Sequence, residues 1–133
     1  DKATTAYGVG EFVYLKGVAS TVVGSVVTYS ADDHSTALAA ANAVGPIATA
    51  MSINVANQFG FYQISGKGVA TVLAGFADNA DVYLTSTAGS VDDADVAGDY
   101  VRGMLGASAI NTPSTGLAEV DLWRPFVNDG KDN

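Results

Sequence analysis

Between Gln58 and Val91, short apolar runs alternate with glycine, asparagine and aspartate residues that are typical of turns. Phe59, Phe61 and Ile64 belong to a run rich in β-branched and aromatic side chains, which fit a pleated, half-buried surface. The segment Ser65-Gly66-Lys67-Gly68 is interpreted as a hairpin turn, because glycine adopts the positive φ angles that tight hairpins require. The apolar runs are too short for regular helices, so this stretch predicts a β-meander.

Strand patterns continue on both sides of this stretch. The alanine-rich segment Thr36–Val44 is compatible both with a helical turn, which alanine favours, and with a strand. The whole chain is predicted to be all-β, a single-domain β-barrel or β-sandwich of about eight to ten short antiparallel strands. Outside the meander, we expect the main strands at Glu11–Lys16, Ser20–Tyr29, Ile47–Val55, Tyr100–Ile110 and Leu117–Phe126, and within it at Val82–Thr85.

The length of 133 residues fits one domain with one core. Residues 1–10 have few large apolar side chains apart from Tyr7 and Val9, and are expected to form an extended N-terminal arm. Residues 11–127 form the predicted β-rich domain, and residues 128–133 a polar C-terminal tail. Because small alanine, valine and glycine side chains dominate, we expect a thin core and a contribution to stability from neighbouring subunits.

The charge balance argues against nucleic acid as a direct partner. The chain has 14 acidic and 6 basic residues, a formal charge of −8, whereas DNA-binding surfaces are basic. It has no cysteine, which excludes disulfides and thiolate metal sites. No apolar run approaches the roughly 20 residues that span a bilayer. We therefore expect a soluble protein without a membrane partner.

The candidates for catalysis or metal binding are weak. His34 is the single histidine and lies in a predicted loop, where neighbouring side chains rarely converge on one site. The acidic run Asp92–Asp99 faintly resembles a calcium loop but lacks the closing glutamate of the EF-hand. Glu11 and Glu119, the glutamates in predicted strands, are expected to face solvent or a neighbour rather than to form a hydrolytic pair. We expect neither an enzyme nor a cofactor or metal site.

The last predicted strand offers the best candidate for a partner contact. Ala118, Val120 and Leu122 alternate onto one face, and Trp123 falls on the opposite, more polar face beside Arg124. Trp and Arg are enriched among residues that anchor protein interfaces. A strand bulge that turns Trp123 into the core is an equally open alternative. We expect a partner to contact Tyr7, Val9, Trp123, Arg124 and Phe126.

Several short segments together resemble a known group of proteins. They are Gly10-Glu11-Phe12-Val13-Tyr14, Gly66-Lys67-Gly68-Val69-Ala70, Asn79-Ala80-Asp81-Val82-Tyr83-Leu84 and Arg102-Gly103-Met104-Leu105-Gly106-Ala107. In this order they resemble the small β-rich decoration, or cement, proteins that coat tailed-phage capsids with the HK97-type shell. The resemblance extends over most of the chain between about Val9 and Leu122, and the Thr36–Val44 segment departs from it.

The resemblance implies a structural role in the virion. Such a protein binds the outer capsid surface, bridges neighbouring copies of the major capsid protein and stabilises the shell through many weak, multivalent contacts. It also implies a homo-oligomer, with a trimer favoured and a dimer possible. Two alternatives stay open: the base of a head fibre, and a carbohydrate-binding β-sandwich, which should present several coplanar aromatic rings on one exposed surface.

Overall fold

The computed structural model describes residues 2–5 and 8–128 of the chain. These residues contain no helix, and every pairing between their strands is antiparallel. The predicted all-β class is confirmed, and the sheet curls into a half-barrel that is compatible with a single barrel-like domain. Within the described residues the strands are β1 (Lys2–Thr5), β2 (Gly8–Lys16), β3 (Val26–Tyr29), β4 (Thr36–Leu38), β5 (Gly45–Ala50), β6 (Phe59–Thr71), β7 (Asp81–Leu84), β8 (Val91–Asp92), β9 (Tyr100–Gly106) and β10 (Leu117–Val127).

Strand β6 is the centre of the sheet. The strand order is β1-β2-β6-β5-β10-β9-β7-β8, and β3 joins at the side by pairing with both β5 and β4. The first half of β6 pairs with β2 and β5, whereas its second half pairs with β10 from Trp123↔Ser65 to Leu117↔Thr71. Since β10 also pairs with β5 at Phe126↔Pro46, the strands β5, β6 and β10 close a small ring of pairings.

The hairpin predicted at Ser65–Gly68 is wrong, because these residues lie inside β6. Gly66 has a φ of +92°, and a Cβ atom there would lie 2.6 Å from the carbonyl oxygen of Val9 in β2. A Cβ at Gly68 would lie 2.5 Å from Oε1 of Gln63. The glycines therefore allow a bend within one strand and a close approach of β2, rather than a chain reversal.

Gln63 supports this bend from inside the fold. Its side chain is buried, and Nε2 donates hydrogen bonds to the carbonyl oxygens of Ser65 at 2.9 Å and Lys67 at 3.0 Å. Buried carbonyl groups need such partners, because an unpaired one costs about 1–3 kcal/mol. The Gln63 amide thus satisfies two carbonyls along the bent part of β6.

Two apolar clusters form the core, and β3 and β5 separate them. Val26 and Val27 are neighbours in β3 but belong to different clusters. The same is true of Ile47 and Ala48 in β5. Successive side chains point to opposite faces of a strand, so both faces of these two strands are buried. The smaller cluster consists of Leu15, Val27, Ala48, Ala50, Tyr62 and Ile64, and the larger one includes Phe76, Leu84, Met104, Val120 and Leu122.

Several predicted boundaries change. The Thr36–Val44 segment contributes the short strand β4 over Thr36–Leu38 and no helix. Strand β5 ends at Ala50 rather than at Val55, and Lys2–Thr5 of the expected arm form β1, which pairs with Gly8–Glu11. Of the predicted C-terminal tail, residues 129–133 lie outside the described residues. No helix long and apolar enough to cross a membrane is found in the described part of the chain.

Gly66 and Gly75 form a matched pair for testing the bend in β6. Their φ angles are +92° and +91°, but a Cβ at Gly75 would meet nothing within 4 Å. Gly75→Ala should lower the free energy of unfolding by about 1–2 kcal/mol, the backbone penalty for a side chain at this φ. Gly66→Ala should lower the free energy of unfolding by about 1–3 kcal/mol more than Gly75→Ala does, because the added methyl group overlaps β2. Urea unfolding of both variants measures the difference, and equal losses would contradict this account of the bend.

Candidate functional site

A bulge in β10 determines the position of the predicted partner-binding residues. Against β9, Leu122 pairs with Met104 and Phe126 pairs with Arg102, so three residues of β10 lie opposite Gly103 alone. Arg124 takes a φ of +47° within the bulge. Gly103, at a φ of +75°, accommodates the bulge because glycine has no Cβ. A Cβ at this position would lie 2.6 Å from the Trp123 carbonyl oxygen. The bulge is where β10 leaves β6 and begins to pair with β5.

The predicted partner-binding residues that the structure describes are exposed. Trp123 is 61% exposed and Val9 is 71% exposed, while Arg124 and Phe126 also face solvent. The alternative in which a bulge turns Trp123 into the core is wrong: the bulge exists, but it presents Trp123 and Arg124 consecutively on the surface. Tyr7 lies outside the described residues.

Arg124 is already engaged within the chain. Its Nε donates to Oε1 of Glu11 at 3.3 Å, and its Nη2 donates to Oε2 at 2.7 Å. The hydrogen bonding and charge of Glu11 raise the pKa of Arg124. The nearby Tyr29 has its pKa raised by burial, an effect that the Arg124 charge opposes. Arg124 thus connects β10 to β2, and Trp123 is the side chain that the bulge leaves for a partner.

A second exposed apolar group lies on β2 and β6. Tyr14 stands directly opposite Phe61, and its ring centroid is 5.1 Å from that of Phe61 and 5.7 Å from that of Phe59. Each of these three rings is about half exposed, and we call them the aromatic cluster. Met51, which is 37% exposed, lies beside Phe61 along the backbone, because its N–H donates to the Phe61 carbonyl oxygen at 3.2 Å. Contiguous exposed apolar side chains of this kind mark interaction sites.

The aromatic cluster was missed because the pattern of β6 has two apolar faces. Phe59 and Phe61 alternate with the buried Tyr62 and Ile64, and period-two spacing identifies the two faces without showing which one is covered. A sequence signal was nevertheless present. Phe59 and Phe61 occupy alternate positions, so they had to share one side of the strand.

The loop residues considered for catalysis or metal binding take part in local structure. His34 is exposed in the turn between β3 and β4. Asp99 is buried and accepts a hydrogen bond from the Asn42 N–H at 2.8 Å, and Asp93 accepts one from the Ala77 N–H at 3.0 Å. Burial raises the pKa of Asp92. Among the described residues, no three or more histidines, cysteines or carboxylates are grouped so that they could hold a metal ion.

The two glutamates considered as a hydrolytic pair each have a basic partner. Glu11 holds Arg124, and Glu119 lies 3.7 Å from Nζ of Lys67 in an ion pair between β10 and β6. The two glutamates therefore have structural roles in the described fold.

Comparison with known proteins found no match, either to a protein-family model or to a curated protein.

Trp123 and Leu122 provide a direct test of which side of β10 faces the core. Leu122 is 1% exposed and packs in the larger cluster. Leu122→Ala should lower the free energy of unfolding by about 2–5 kcal/mol. Trp123→Ala should change it by no more than about 0.5 kcal/mol, as is usual for exposed positions. Chemical denaturation measures both values, and a large loss in the Trp123 variant would show that the indole packs against the fold.

Proposed function

We propose that this protein is a non-enzymatic virion protein that binds the outer surface of a tailed-phage capsid and bridges neighbouring major capsid proteins. The observation that carries the proposal is the exposed Trp123 on the β10 bulge, with Phe126 near it on the same strand. A large aromatic side chain held on a strand loses little entropy on binding and can fill a pocket in a partner. Binding to the shell through this surface is the proposed mechanism.

The rigidity of the Trp123 surface supports a bridging role. Trp123 is paired with Ser65 in β6, and the next residue, Arg124, is tied to Glu11 in β2. Strands β6 and β2 therefore both contact the bulge. A capsid contact of this kind presents the same geometry at every shell position, so that weak contacts add over the lattice.

The segments that resemble decoration proteins occupy the framework that supports this surface. Gly10–Tyr14 lie in β2, Gly66–Ala70 in the bent half of β6, and Arg102–Gly106 in β9. Gly66 allows the approach of β2, and Gly103 accommodates the β10 bulge. Some segments of the resemblance therefore lie beside the proposed contact.

Self-association is the second part of the proposal. We propose a homo-oligomer, with a trimer favoured and a dimer possible, because the aromatic cluster adds exposed apolar surface on β2 and β6 to that of Trp123 on β10. Virion location on the outer capsid surface follows from the proposed contact. The base of a head fibre is the closest alternative, and it makes use of the same two kinds of surface.

The aromatic cluster has a geometry that disfavours the carbohydrate-binding alternative. The Tyr14 and Phe59 rings stack on each other with an angle of 17° between their planes, and Phe61 is tilted by 60° to Tyr14. Part of the Tyr14 face is thus covered by Phe59, and the three rings do not form one plane for a sugar. Phenylalanine also lacks a polar group to bind hydroxyls. Protein is the better partner for such a surface.

Cosedimentation with capsid shells tests the proposed function. Empty shells are assembled from the major capsid protein encoded in the same genome, and the wild-type chain should sediment with them. Trp123→Ala should weaken binding by about 2 kcal/mol, or roughly 30-fold. Val96→Ala, an exposed apolar position on the loop between β8 and β9, should bind normally. If the wild type remains in the supernatant at every concentration, the capsid proposal fails; if the Trp123 variant binds normally, another surface makes the contact.

A further inference from the structure

The aromatic cluster has a basic residue at its edge. Lys16 stands directly opposite Phe59 in the pairing of β2 with β6, two residues along the strand from Tyr14. Directly opposed residues point to the same face of a sheet, so the exposed Lys16 side chain borders the exposed rings. This end of the sheet therefore presents aromatic area together with the positive charge of Lys16, beside the exposed Asp32 and Asp33 of the loop whose His34 carbonyl oxygen accepts a hydrogen bond from the Lys16 N–H at 2.8 Å.

The other end of the sheet presents aromatic area together with negative charge. Tyr83 in β7 pairs with Tyr100 in β9 and with Asp92 in β8, and the two tyrosine ring centroids are 5.5 Å apart. Desolvation and the charges of Asp95 and Asp81 raise the pKa of Tyr83, so both carboxylates lie near it. We call these residues, Asp81, Tyr83, Asp92, Asp95 and Tyr100, the acidic tyrosine face.

The charges of the chain are distributed unevenly between these ends. Between residues 78 and 99 the sequence has six aspartates and no lysine or arginine. The nearest basic residue along β9 is Arg102, which is exposed next to the face. In a chain with a formal charge of −8, two copies that met through their aspartate-rich ends would repel each other. Lys16 of one copy and the aspartates of the acidic tyrosine face of another have opposite charges, so a contact that places them together is favoured.

We propose that the aromatic cluster with Lys16 is a docking site for the acidic tyrosine face of a second copy of this chain. Tyr14, Phe59 and Phe61 would pack against Tyr83 and Tyr100, while Lys16 meets Asp81 or Asp95. Aromatic pairs and opposite charges are the groups that give protein interfaces their affinity and their orientation. The contact is head-to-tail, because the two surfaces differ and lie at opposite ends of the strand order.

A head-to-tail contact leaves one surface of each kind free on a dimer, so further copies add until the rotation between neighbours closes a ring. Ring closure uses both surfaces of every copy. This inference names the surfaces for the self-association contained in the proposed function and rests on it. Self-association is measured on the purified chain, without shells.

Charge reversal tests the docking site at two ionic strengths by sedimentation velocity and light scattering. The wild type should form a defined oligomer at low salt that weakens at high salt, since exposed charges are screened. Lys16→Glu and Asp81→Lys should each weaken self-association at least about tenfold, because each places like charges opposite each other. The double variant, with Glu at 16 and Lys at 81, restores opposite charges and the wild-type net charge, and should associate again. Circular dichroism checks that each variant is folded.

The aromatic part has its own variant. Phe61→Ala should weaken association at both ionic strengths, because it removes apolar area rather than charge. A wild type that stays monomeric at 100 μM, or single reversals that associate as the wild type does, would overturn the proposal, as would a folded double variant that stays monomeric. Shell binding is measured separately, by cosedimentation of the Trp123→Ala variant with empty shells. Normal self-association without shell binding would count against the capsid role alone.

Discussion

The fold depends on the bend in β6. One strand pairs with β2, β5 and β10 in succession because Gly66 turns its backbone at a φ of +92° without ending the strand. The register with β2 shifts at the same place, between Glu11 and Phe12. A side chain at Gly66 or Gly68 would separate strands that now touch. The close approach of backbones is thus a constraint on sequence as strong as the packing of large side chains elsewhere.

The bulge in β10 follows from that bend. β10 pairs with β6 only as far as Trp123, and then pairs with β5 at Phe126. A strand that changes partners while its other edge stays on β9 needs extra length, and three residues opposite Gly103 supply it. Two consecutive exposed side chains result, Trp123 and Arg124. The proposed contact surface is therefore a consequence of how the ring of β5, β6 and β10 closes, and Arg124 holds it to β2 through Glu11.

Side-chain alternation predicted those parts of the fold that local pattern controls. In β10, Ala118, Val120 and Leu122 share a buried face, as their period-two spacing indicated, whereas the exposure of Trp123 decides between two alternatives that the sequence left open. The hairpin at Ser65–Gly68 was wrong because glycine serves both turns and close backbone approach, and only tertiary contacts distinguish the two. The aromatic cluster could not be assigned to the surface for a similar reason. Phe59 and Phe61 are as apolar as core residues, and their exposure depends on which face of β6 the rest of the fold covers.

The small core side chains have consequences for the surface. Alanine occupies buried positions in β5, β6 and β10, namely Ala48, Ala50, Ala70 and Ala118, which brings strands close together but leaves little volume for large apolar residues inside. The chain has 11 phenylalanine and tyrosine residues, and the described fold covers rings such as Tyr62 and Phe76 while leaving Tyr14, Phe59, Phe61 and Trp123 at least partly in solvent. These rings stay exposed in the described fold, and the proposed self-association would bury some of them against a second protein surface.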